Sequence, residues 1–140
     1  DVCSSDLRAR LSGPLADRID LHTHVGAVEL SVLSRNAVEE SSTAIRARVL
    51  AARARQALRY RSHRSWRVNA DAAGAWLLSH GALATDARTL LDSAAERLGL
   101  SARAYHRALR VARTIADLDG AEGVSAASVA EALRYRPSRA

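Results

Sequence analysis

The stretch from Ser101 to Gly120, SARAYHRALRVARTIADLDG, decides the architecture of this chain. Tyr105, Ala108, Leu109, Ala112, Ile115 and Ala116 recur at i, i+3, i+4 spacing, which predicts a helix with one broad apolar face running to about Asp119. Ser101 supplies an N-cap hydroxyl and Gly120 a stop. A face this broad needs several elements packed against it, so the rest of the chain is read for partners.

Those partners are helices. Thr85 is placed to cap a helix in which Ala87, Leu90, Leu91, Ala94 and Leu98 fall on one side, and Gly99 closes it. Ser125 opens a last helix with Val129, Ala132 and Leu133 inward. Upstream, Glu40-Ser41-Ser42-Thr43 offers N-caps for a long helix from about Ala44 to Tyr60. In it Ile45, Val49, Ala52 and Gln56 form a narrow stripe, with Arg48, Arg55 and Arg59 along one side and Arg46 with Arg53 along the other. Ser62 to Asn69 reads as a loop. Around Trp76-Leu77-Leu78 lies a short apolar segment whose type the pattern leaves open, and Gly26 to Asn36 is a connector. Near the N-terminus Ser12-Gly13-Pro14 starts a helical turn. Ile19, Leu21, Thr23 and Val25 then alternate with Asp20, His22 and His24 as in a short strand. The expected fold is mainly α, one N-terminal strand followed by a helical bundle.

Composition narrows the class. One hundred and forty residues suffice for one domain with a modest core. The chain is 48% hydrophobic with neither phenylalanine nor methionine, and much of the apolar content is alanine, so helices must approach closely to bury enough area. A chain without methionine is expected to be a piece of a longer one. Its first seven residues, DVCSSDL, match the translation of a sequencing-adapter oligonucleotide, so the natural sequence is expected to begin near Arg8. All 21 basic residues are arginine against 15 acids, a net charge of +6 that favours an anionic partner such as nucleic acid or phosphate. No apolar run approaches the ~18 residues of a membrane span. A single cysteine excludes an internal disulfide, which points to a cytoplasmic protein.

Two arginines stand out. Arg103 sits near the second position of its helix, where the exposed amides disfavour a cation by about 0.3–1 kcal/mol. Arg107 and Arg110 extend it into a column opposite the apolar face. Either these are solvated arginines paired with acids, as the spacing of Arg113 and Asp117 suggests, or an anion held at the helix start turns the penalty into a gain. Arg18 lies between Asp17 and Asp20 at a joint between structures. It is either ion-paired there or aimed outward at a phosphate, which the guanidinium fork matches. His22 and His24 share a strand face, but two ligands do not make a metal site and none is expected. Tyr105 reads as core edge, His106 as surface, and Trp66 and Trp76 as packing. The GxxxxGK[ST] phosphate loop is absent.

LSGPLADRIDLH, LSARAYHRALRVARTIADLDG and the ending VSAASVAEALRYR together resemble the end of the ATPase core and the helical lid of the magnesium-chelatase-like AAA+ family. They most resemble its ComM-type branch, implicated in DNA branch migration during natural transformation. The resemblance implies that residues 8–40 end an AAA+ core and residues 41–140 form the lid. It implies that Arg18 is the arginine finger reaching the nucleotide of a neighbouring subunit, and that Arg103 is the nucleotide-sensing lid arginine called sensor 2. ATP with Mg2+, a hexameric homo-oligomer and DNA are the implied cofactor and partners of the intact protein. The chain by itself is expected to be inactive, since the rest of the nucleotide site lies upstream. An ATPase subunit of magnesium chelatase and a free-standing basic nucleic-acid-binding module are the alternatives. Ala16, where the family usually has leucine, is the main departure within the first motif.

Overall fold

The computed structural model describes residues 18–23, 25–27 and 40–136. Among these residues five helices carry the fold: α1 (Ser42–Arg59), α2 (Gly74–His80), α3 (Thr85–Leu98), α4 (Ala102–Leu118) and α5 (Ala126–Arg134), with a short 3₁₀ turn at Asn69–Asp71 before α2. Three helix starts follow from their serines. Ser41, Ser101 and Ser125 each accept a hydrogen bond from the backbone N–H three residues on, at 3.2 Å. Such a hydroxyl satisfies one of the orphan amides of the first turn. Gly99 closes α3 with left-handed dihedrals of φ 59° and ψ 46°, and Leu100 N–H donates to the Ala95 carbonyl at 2.9 Å.

One expected cap is not formed. Thr85 is the first residue of α3, and Ala84 holds the cap position with no side-chain bond. The backbone sets this start instead. Leu83 and Val124 form a parallel bridge, and Ala84 N–H donates to the Val124 carbonyl at 3.1 Å. The segment around Trp76 resolves into α2.

The strand expected over Ile19 to Val25 is not visible, and among the described residues the Leu83–Val124 bridge is the only sheet-like pairing. A strand is defined by the ladder it makes with a neighbour. Here Leu21 and Val25 remain 53% and 85% exposed. The expected turn at Pro14 to Asp17 and most of the Gly26 to Asn36 connector lie outside the described residues.

Helix α4 is the hub, packed against α1, α2, α3, α5 and the 3₁₀ turn, while α3 also packs on α5. The core contains Leu77, Leu91, Leu109, Ile115, Val124 and Val129. Ala72, Ala87, Ala112 and Ala116 are fully buried among them, the small contacts that the alanine-rich composition requires. Trp66 and Trp76 pack against this core as expected. Each stacks on a histidine, Trp66 on His63 at 4.1 Å and Trp76 on His80 at 4.7 Å, and the two tryptophans meet edge-on at 5.4 Å with buried Tyr60 packed against both. Tyr105 lies at the core edge and donates to Asp92 Oδ1 at 2.6 Å; burial and that carboxylate push its phenol up to about 12.

His106 is half-buried rather than a surface residue, because α2 crosses α4 at Gly74. A Cβ at Gly74 would fall 2.2 Å from His106 Cγ and 2.7 Å from its Cβ. The latter atom is fixed to the α4 backbone, so rotating the ring gives no relief. Gly74→Ala is therefore expected to lower stability by about 1–3 kcal/mol, read as a reduced midpoint in urea unfolding.

The stripe of α1 is buried only in its second half. Ala52 and Gln56 are covered, whereas Ile45 and Val49 are each 42% exposed. The arginines of α4 depart further from expectation. Arg107 and Arg113 are buried, and Arg110 is half-buried with its Nε donating to the Ala72 carbonyl at 2.9 Å. Their helix face is not solvent, because α1, α2 and the preceding segments cover it.

Candidate functional site

The most ordered polar feature is a buried network around Asp117. Arg59 meets its carboxylate with both Nη atoms, at 2.7 and 2.5 Å. Arg113 Nη2 donates to Asp117 Oδ1 at 3.0 Å and Asn69 Nδ2 to Oδ2 at 2.9 Å. Tyr60 and Arg59 both donate to Asn69 Oδ1. Arg113, only 1% exposed, also donates to the carbonyls of Gly81, Ala121 and Glu122, so one guanidinium ties the end of α2 to the turn after α4. Burial pushes the Asp117 carboxyl up, but hydrogen bonds from Arg59 and Asn69 and the charges of Arg113 and Arg59 outweigh it and hold the group below its ordinary value. For Arg59 the bond to Asp117 prevails and raises it; for Arg113 burial prevails and lowers it, though a guanidinium stays charged in either case. The i, i+4 spacing of Arg113 and Asp117 foretold their pairing, and nothing in that spacing foretold its depth.

The predicted site residues lie on a second, more open surface. Arg18 is exposed, on a segment held at two points. Arg107 Nη1 donates to the Ile19 carbonyl at 2.8 Å, and His22 N–H donates to the Tyr135 carbonyl, just past α5, at 2.7 Å. Arg103 is exposed in the first turn of α4, one helical turn before Arg107. The structure thus docks the residue after Arg18 onto the helix that carries Arg103, through an arginine that sequence reasoning assigned to the surface. Asp20 lines a cavity of about 20 Å³ beside Leu100, Arg107, Val111, Leu133 and Arg136, room for about one water. Asp17 and His24 lie outside the described residues. Among the described residues no three His, Cys, Asp or Glu side chains gather as a metal site would require, and no helix is long and apolar enough to cross a membrane.

Comparison with known proteins assigns the chain. Residues 39–136 match the family described as magnesium chelatase, subunit ChlI C-terminal. The protein YifB of Salmonella typhimurium is 40% identical over 128 residues, covering 91% of this chain and 24% of its own length. The competence protein ComM of Haemophilus influenzae is 36% identical over 133 residues, again 91% of this chain and 24% of its own length. A Mycobacterium tuberculosis protein is 36% identical over 143 residues, 99% of this chain and 28% of its own. The chain therefore spans about a quarter of the length of the relatives it matches. With most of its residues inside the matched span and, among the described residues, four helices packed on a central fifth, the chain belongs to the magnesium chelatase subunit ChlI C-terminal family.

Proposed function

We propose that this chain is the end of the ATPase core together with the lid of a ring-forming, ATP-driven motor acting on DNA, in which Arg18 serves a neighbouring subunit as arginine finger and Arg103 senses the nucleotide of its own. The observation that carries the reading is the hydrogen bond from Arg107 to the Ile19 carbonyl. It joins the two most recognisable sequence motifs in space while both Arg18 and Arg103 remain exposed. A finger must be held rigidly yet project, and anchoring the next residue by its backbone carbonyl does both. The 36% identity to a protein named for competence supports the DNA assignment.

In this reading ATP and Mg2+ bind mainly to upstream parts of the full-length protein. Arg103 approaches the phosphates from the lid, where the exposed amides at the start of α4 reinforce its charge. Because Ile19 hangs on α4, a shift of the lid on nucleotide binding also moves the finger offered to the next subunit. A hexameric ring is the assembly in which such an offer closes on itself.

The test is Arg103→Ala in the full-length protein. Nucleotide affinity or turnover is expected to fall about tenfold to a hundredfold, the range for loss of a hydrogen bond to a charged group. Unchanged kinetics return Arg103 to the solvated surface. The family description favours one second reading, an ATPase subunit of magnesium chelatase itself. ATP hydrolysis stimulated by DNA supports the motor; hydrolysis indifferent to DNA supports the chelatase.

A further inference from the structure

The 21 arginines are not evenly spread. Residues 41–70 hold eight of them and not one of the 15 acids, so the remaining residues, 13 arginines against 15 acids, carry a slight net negative charge. The entire positive excess therefore sits on α1 and the loop behind it. Arg48 is engaged by Glu40 and Arg59 by Asp117. Arg46, Arg53, Arg55, Arg61, Arg64 and Arg67 are exposed, and among the described residues none of them forms an ion pair.

Their placement on the helix is ordered. At about 100° per residue, Ala52 and Gln56 face the bundle. Arg46 and Arg53 run along one flank, seven residues or about 10.5 Å apart; Arg48, held by Glu40, and Arg55, whose guanidinium lies beside Gly120, run along the other at the same interval. Between these rails the outward ridge is Ala47, Leu50, Ala51, Ala54 and Leu58, with Leu50 58% and Leu58 65% exposed. Every residue of this ridge is exposed, so it is open to a large partner.

We propose that α1 is a grip for duplex nucleic acid, its narrow alanine ridge entering the major groove and its two arginine rails meeting the phosphates on either wall. A helix body of about 10–12 Å fits a groove about 12 Å wide, and rails on both flanks match a groove with phosphates on both sides. The ridge offers no hydrogen-bonding group to base edges, so the grip reads backbone rather than sequence. A membrane surface fits less well. The ridge has two leucines and no aromatic residue, little apolar area to bury at a lipid interface. The proposal deepens the DNA reading above by naming a contact surface, and its test involves no ATP, so failure here leaves the roles of Arg18 and Arg103 standing.

The experiment measures binding of the full 140-residue chain to a fluorescent DNA duplex by anisotropy as salt is varied. If the six arginines without an ion pair, Arg46, Arg53 and Arg55 on α1 and Arg61, Arg64 and Arg67 on the loop behind it, each meet a phosphate, affinity falls about 10³-fold between about 50 and 200 mM salt. The triple variant Arg46→Ala, Arg53→Ala, Arg55→Ala is expected to flatten the logarithmic salt slope by about 3. Alanine favours helix, so α1 is expected to stay folded, which circular dichroism of the variant checks. A control triple at exposed positions on α3 and α5, Arg88→Ala, Arg97→Ala, Arg134→Ala, is expected to leave the slope unchanged. Equal losses in both triples overturn the proposal. So does equal affinity for single-stranded DNA, or displacement of the duplex by phosphatidylserine vesicles or polyglutamate at matched charge.

Discussion

Arg18→Ala in the full-length protein is expected to lower ATP turnover about 10³–10⁵-fold while nucleotide affinity stays within about twofold, because a finger stabilises charge that develops only on the transferred phosphoryl group. The geometry makes the prediction specific to the side chain. Arg107 and the Tyr135 carbonyl hold the segment through the Ile19 carbonyl and the His22 N–H, and neither bond uses the Arg18 guanidinium. Removing that guanidinium should leave the segment docked, so far-ultraviolet circular dichroism and the unfolding midpoint should not move. Arg18→Lys keeps the charge but loses the two-pronged fork, and should recover only part of the rate. Mixed rings supply the decisive measurement. Subunits lacking Arg18, combined with subunits whose upstream phosphate loop is disabled but whose Arg18 is intact, should regain turnover. Without such rescue the finger does not act across a subunit boundary.

The second large effect is on stability. Asp117→Asn is expected to lower the unfolding free energy by about 3–5 kcal/mol, since it strands two guanidiniums, one of them almost fully buried. Against the ~5–15 kcal/mol of a typical domain that is a large share. Glu40→Gln, at the exposed Arg48–Glu40 pair, should alter stability by less than about 1 kcal/mol and serves as the internal comparison. Acid should reproduce the loss in the unchanged protein. The Asp117 carboxyl lies below its ordinary value when folded, so the unfolded state binds its proton more tightly. Its stabilisation is complete above the unfolded value of about 3.9 and disappears as pH falls through the lower folded value. Asp117→Asn should therefore flatten the pH dependence of urea unfolding below about pH 4. A loss under about 1 kcal/mol, or an unaltered acid limb, would show that the network is not what holds α1 to α4.

Much of the helical framework was legible before any tertiary contact was known. Ser41, Ser101 and Ser125 were among the expected caps and each is one; Gly99 was expected to close α3 and does. Thr85 does not cap α3, because a backbone bond from Ala84 to Val124, forty residues away, sets that helix start. The tryptophans were expected in packing, where aromatic area is most readily buried, and they pack. Arg18 and Arg103 were singled out from sequence, and the structure leaves both exposed without testing their roles.

The arginines of α4 mark where sequence reading ended. A helical wheel assigns Arg107, Arg110 and Arg113 to solvent because charge is costly to bury. That rule holds only while no partner is at hand. Asp117 is met by Arg59, 58 residues earlier in the chain, and Arg107 by a carbonyl 88 residues earlier. The positions of α1, α3, α4 and α5, the serine caps of α1, α4 and α5 and the concentration of arginine on α1 were determined by the sequence alone, since a cap bond spans three residues and periodicity repeats every turn. Which charges are buried, and that the Arg18 segment docks on the helix of Arg103, was decided by the tertiary structure. A charge leaves water only where distant groups converge to replace its hydration, and that convergence is a property of the folded chain.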